Sequence, residues 1–143
     1  MSEKFDRETN YAHVLQVGTP PRGEIVFFPD FTKVTVDATD GALDPADATA
    51  IIGGILARDP LGANRADKLP TAAMIIAQLT GVPQVGQSFM FSIVNTADAA
   101  EAITVTTNTG LTLVGYMVIS QNESGLFCCR VTSATTCSVY RIA

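Results

Sequence analysis

From Ser88 to the C-terminus the apolar side chains recur with a period of two, in five short runs. SFMFSIV (88–94) puts Phe89, Phe91 and Ile93 on one face, and AITVTT (102–107) puts Ile103 and Val105 together. LFCCRVT (126–132) and TCSVYRI (136–142) continue the alternation. A period of two in residues rich in Thr, Val, Ile and Phe demands strands, because successive side chains of a strand point to opposite faces. LTLVGYMVI (111–119) is apolar on both faces and reads as a central strand. The breaks NTADAAE, NTG, SQNESG and SATT are turn chemistry. The fold class that follows is mainly β: a small antiparallel β-sandwich or barrel, jelly-roll-like, forming a head.

Ahead of the head the pattern changes. Residues 1–23 read as an extended arm, since VGTPPRG (17–23) is stiffened by two prolines and cannot form helix. EIVFF (24–28) and TKVTV (32–36) are short strand candidates around Pro29-Asp30. Asp44-Pro45 with Asp47 signals a helix start, and Gly53-Gly54 its end, giving a short helix over roughly 45–52. A second helix begins near Pro70, sets Ala72, Ala73, Ile75, Ile76 and Leu79 on one face, and ends at Gly81 and Pro83. Two regions result: 1–57, an N-terminal arm with short strands and a short helix, and 58–143, a junction, a helix and the β-head.

Between the two apolar stretches AIIGGIL and AMIIAQL lies RDPLGANRADKLPTA (58–72). It is too polar and too broken for core and too varied for a flexible linker.

Charge is concentrated at one end. Residues 1–68 hold 18 of the 23 charged side chains, leaving Asp98, Glu101, Glu123, Arg130 and Arg141 for the rest. Only 16% of the chain is charged, too little to cover its surface, so apolar surface is expected to meet another chain. A head of about 60 residues is near the lower size limit for independent stability, which also points to a homo-oligomer. The net charge is −5, with no basic stripe, which argues against nucleic acid. No apolar run is long enough to span a bilayer, and the polar N-terminus carries no secretory apolar core. The expectation is therefore no membrane partner and synthesis in a cytoplasm.

Catalytic chemistry is not legible. The single histidine, His13, lies in the arm. No nucleotide, phosphate, zinc-protease or serine-hydrolase motif occurs. Asp37, Asp40, Asp44 and Asp47 lack the spacing of a calcium loop and read as caps and turns. Nothing opposes Glu101 to Glu123 as a carboxylate pair. Cys128 and Cys129 point to opposite faces of one strand, so at most one reaches Cys137, and all three read as reduced, small apolar residues. No enzyme, cofactor or metal is expected.

RDPLGANRADKLPTA, FMFSIVNTADAAEAITV (89–105) and GLTLVGYMVISQNESGLFCCRVT (110–132) together resemble a module of virion surface proteins. Such modules occur in tailed bacteriophages and large DNA viruses, as capsid decoration or head-fibre components. The resemblance spans about residues 51–143. It implies a virion structural component, commonly exposed on the capsid, without enzymatic activity. It also implies that 58–72 is a rigid junction, in which Pro60, Gly62 and Pro70 fix the turns and Arg58, Asp59, Arg65 and Asp67 pair with one another or with neighbouring subunits and so set register between chains. The reading that follows is a capsid decoration (cement) protein, a homotrimer on the outer face of the major capsid shell. The major capsid protein would be its partner. Residues 1–57 would then be the capsid-attachment region, with Tyr11, Val14, Leu15, Phe27, Phe28 and Phe31 as anchors. The alternative is a head fibre or receptor-binding knob touching a host glycan or protein.

Overall fold

A computed structural model describes residues 31, 33–44, 48–52, 54–79 and 84–143. Within them the chain is mainly β, with two short helices. The elements run β1 (Lys33–Asp37), α1 (Thr49–Ile52), β2 (Gly54–Arg58), β3 (Arg65–Lys68), α2 (Ala72–Gln78), β4 (Ser88–Asn95), β5 (Ile103–Thr106), β6 (Leu111–Val114), β7 (Val118–Ile119), β8 (Ser124–Val131) and β9 (Cys137–Arg141). Six strands form one sheet in the order β1-β2-β4-β8-β9-β6, and β3-β5-β7 form a second.

Both sheets are mixed, which corrects the expected antiparallel architecture. β1 with β2, β2 with β4, β3 with β5, and β6 with β9 are parallel, whereas β4–β8, β8–β9 and β5–β7 are antiparallel. A period of two reports which face a side chain takes and is silent on the direction of the neighbouring strand. Parallel neighbours need a crossover of a dozen or more residues. The segment carrying α1 supplies one between β1 and β2, and β3 with α2 lies within the one between β2 and β4.

The run 111–119 is not one central strand. β6 is an edge strand of the large sheet, Gly115 takes φ +110°, and the chain then enters the small sheet as β7. Arg141 holds this crossing: its Nη1 donates to the carbonyls of Tyr116 at 3.1 Å and Val118 at 2.6 Å. The run is apolar throughout because its two halves belong to two different sheets.

The first helix is shorter than expected, Thr49–Ile52, and Gly54 opens β2 instead of ending a helix. Residues 45–47, Gly53 and the EIVFF run lie outside the described residues. TKVTV corresponds to β1. The second helix is capped by Thr71, whose Oγ1 accepts from the Met74 amide at 3.1 Å. Pro70 precedes the cap, a residue earlier than expected. β2 runs through the boundary expected at 57/58, and β1 and β2 join the same sheet as the C-terminal strands.

The core lies on one face of the large sheet. Leu56, Phe91, Ile93, Phe127, Cys129, Val131 and Val139 meet Ile103, Val105 and Ile119 of the small sheet and Ile51 and Ile75 of the helices. Phe91 stacks on Phe127 with ring centroids 5.1 Å apart. Gly125 makes room for this stack, since a Cβ there would sit 2.7 Å from the Phe127 ring. Two antiparallel neighbours each commit a large aromatic ring to this layer, which pins the β4–β8 register.

Candidate functional site

The polar run 58–72 is exposed at its turn, residues 61–64, but two of its charged side chains turn inward. Arg58 ends β2 on the core face and is 0% exposed, and Asp67 on β3 is also buried. Arg58 Nε donates to Asp67 Oδ2 at 2.7 Å, and Nη2 reaches Asp67 Oδ1 at 3.3 Å. Nη1 donates to the carbonyls of Thr39 and Asp59 and reaches Asp37 Oδ1 at 3.3 Å, while Nη2 donates to the Gly41 carbonyl. Every guanidinium N–H thus has an acceptor within the chain. Asp67 Oδ1 also accepts from the Leu43 amide.

Arg58 and Asp67 thus pair with one another inside the subunit, between the two sheets, the first of the two pairings expected for them. Asp59 accepts from the Leu61 amide. Arg65 bonds the carbonyls of Pro60 and Leu61 and pairs with Asp40 at 2.5 Å. All four residues therefore find partners within the chain. Of the expected arm anchors, Phe31 is half-buried, and Tyr11, Val14, Leu15, Phe27 and Phe28 lie outside the described residues.

The second face of the large sheet is the broadest candidate surface. The ladder registers align its residues in rows across the strands. Val34, Ile55, Ser92 and Leu126 form one row, and the backbone of Ile142 bonds Leu126 at its end. Met90, Cys128, Tyr140 and Val114 form another. Val36, Ala57 and Val94 begin a third. Arg130, in a row with Ser88, Ser138 and Thr112, is the one charged strand residue on this face among the described residues. Val36 is 75% exposed at one margin, and Val34, Val114 and Ile142 are exposed too. Such a face cannot be solvated cheaply, at about 25 cal/mol per Å² of apolar surface.

A third feature lies at one end of the small sheet. β3 and β5 are parallel, so their starts coincide, and antiparallel β7 brings its end to the same place. Asn64, Ala102 and Ser120 flank these three ends, and with Ala100, Glu101 and Gln121 they line an open groove of about 450 Å³. Asn95, 1% exposed, organises the adjoining loop. Its Nδ2 donates to the carbonyls of Glu101 at 2.8 Å and Ile119 at 3.0 Å, and its Oδ1 accepts from the Ala97 amide at 3.0 Å. Neither Asn95 nor Glu101 stands out as a site residue in the sequence. The available signal was a polar Asn at a core-facing position of β4, within the word NTADAAE.

Cys129 and Cys137 are buried neighbours and all three cysteines are free thiols. Burial, reinforced by the adjacent Cys137, holds the Cys129 thiol well above its ordinary pKa; burial also raises Cys137. These are packing thiols, unsuited to nucleophilic work. Among the described residues no three His, Cys, Asp or Glu side chains are grouped to hold a metal, and no helix is long and apolar enough to cross a membrane. Comparison of the chain with protein families, characterised proteins and solved structures finds no match.

Proposed function

We propose that this chain is a virion structural protein of the capsid decoration (cement) type, which assembles as a homotrimer on the outer face of the major capsid shell and stabilises it. The observation that carries the reading is the second face of the large sheet, which among the described residues presents apolar side chains on all six strands, interleaved with serines and one threonine, and bears Arg130 as its one charged strand residue. A face of this kind suits burial against another protein layer, and copies of the same chain are the partner that the fold itself supplies. We read the two sheets as a small sandwich whose inner layer is the core of the subunit and whose outer layer is the assembly surface. Arm residues Tyr11, Val14, Leu15, Phe27, Phe28 and Phe31 would contact the major capsid protein. The specific role in a virion rests on the sequence resemblance. The interior node at Arg58, which stiffens the subunit, agrees with a load-carrying part.

The test is reconstitution. Purified protein is added to pre-formed shells that lack it, and bound copies and shell melting temperature are measured. Saturable, stoichiometric binding that raises the melting temperature is the expected result. Shells that neither bind the protein nor gain stability overturn the reading. Particles without it that keep shell stability yet lose host attachment would favour a receptor-binding knob.

A further inference from the structure

We propose that the groove at the end of the small sheet is a binding site for a single guanidinium or alkylammonium group, held by the carboxylate of Glu101. This site is separate from the assembly face and does not depend on the virion reading. Glu101 is only 7% exposed, and its Oε2 is buried with no hydrogen-bond partner. An unpaired buried carboxylate oxygen is costly, so it marks a place where a donor is missing.

The carboxylate is held there by the fold. The Glu101 carbonyl is fixed by Asn95 Nδ2, its amide donates to the Ala99 carbonyl at 2.7 Å, and the next amide, of Ala102, donates to Asn64 Oδ1 at 2.8 Å. Gln121 Nε2 donates to the Ala97 carbonyl, tying the far wall to the same loop. The backbone on both sides of Glu101 is thus anchored, which fixes where its side chain leaves the chain.

The lining chooses the ligand. Glu101 is the one charged residue among Asn64, Ala100, Glu101, Ala102, Ser120 and Gln121, so the groove carries a single negative charge. A cation balances it. Calcium takes about 6–8 oxygen ligands, commonly with several carboxylates, and one carboxylate among neutral groups is a poor match. A guanidinium or ammonium needs one carboxylate and a few neutral acceptors, which is what the groove offers. The neighbouring arginines are committed elsewhere: Arg65 to Asp40 and to carbonyls of the 60–61 turn, and Arg141 to the carbonyls of Tyr116, Val118, Ser124 and Ala143. Among the described residues, then, no neighbouring arginine supplies the group; a small cation or a side chain of another polypeptide would.

The experiment is an amide NMR titration of the full chain with methylguanidinium, butylammonium, a Gly-Gly-Arg-Gly-Gly peptide and calcium chloride. Saturable shifts at Asn64, Ala102, Ser120 and Gln121 with at least one organic cation, weakened at least tenfold in Glu101→Gln, are expected. The Asp98→Asn variant should bind as the parent does. A peptide that binds tenfold tighter than the free cations assigns the site to a polypeptide side chain; equal binding assigns it to a small cation. The proposal is overturned if no organic cation saturates by about 50 mM, if calcium alone saturates, or if Glu101→Gln binds unchanged. Should Glu101→Gln not fold, Ser120→Lys, which sets an ammonium in the same groove, takes its place, and cation binding unchanged in it overturns the proposal.

Discussion

Arg58 on β2 and Asp67 on β3 meet across the space between the two sheets, Nε to Oδ2 at 2.7 Å, and together they organise residues 37–43 through four further contacts, to Asp37, Thr39, Gly41 and Leu43, with a fifth to the Asp59 carbonyl. A buried pair of this kind adds little net stability over an apolar pair, but breaking it strands a charge. Asp67→Ala should cost about 3–5 kcal/mol in urea unfolding, and Arg58→Met with Asp67→Leu much less than the two single losses combined. An Asp67→Ala loss below about 1 kcal/mol would show that the pair does not hold the sheets together.

The thiols give a pH dependence. Cys129 is held above the ordinary thiol range by burial, with Cys137 adding to the effect, so the folded chain keeps a proton that the unfolded chain releases above about pH 8.5. Its contribution to stability is complete below that pH. It is lost as pH rises, by up to about 1.4 kcal/mol per pH unit. Urea midpoints measured from pH 7 to 10 should fall more steeply for the parent than for Cys129→Ala. Parallel slopes would place the thiol in water.

Gly110 is required where α2 approaches the β8–β9 turn. It has φ +81°, and a Cβ there would lie 2.8 Å from both Ala72 Cβ and the Thr135 carbonyl oxygen. Gly110→Ala combines a disfavoured backbone conformation with a clash on backbone, so a loss of about 2–4 kcal/mol is expected by thermal or urea unfolding. The Gly62→Ala control, at φ +83° with nothing within 4 Å, should lose only the conformational part, about 1 kcal/mol.

The sequence made β4, β5, β8 and β9 legible because each alternates over a half-buried surface. It hid β2 and β3 for two reasons. Parallel GILAR and short RADK are too brief to show a period, and their core-facing Arg58 and Asp67 look like surface residues when read alone. Charge argues for exposure only while its partner is unknown. The run 111–119 misled in the opposite way, its apolar length concealing a change of sheet at Gly115. The Glu101 groove was illegible because it assembles three strand ends separated by up to 57 residues, from Asn64 to Gln121. A lone carboxylate declares itself only when its surroundings are known to lack a donor.

The assembly face supplies the last prediction. Leu126 lies mid-sheet in the row that runs from Val34 through Ile55 and Ser92 to Leu126, on the face opposite the Phe91–Phe127 core. It is half-buried, so a lysine there can keep its stem on the sheet and its ammonium in water while the subunit stays folded. Where a second copy covers the row, that ammonium is trapped against apolar surface, at a cost of several kcal/mol per interface. Leu126→Lys is therefore expected to leave the urea-unfolding slope of the folded chain unchanged and to convert the sedimenting species from oligomer to monomer at micromolar concentration. Thr104→Lys, on the partly exposed outer side of β5, serves as the control and should not change the assembly. If the parent chain sediments as a monomer, or if Leu126→Lys assembles as well as the parent, copies of this chain do not meet through the second face of the large sheet.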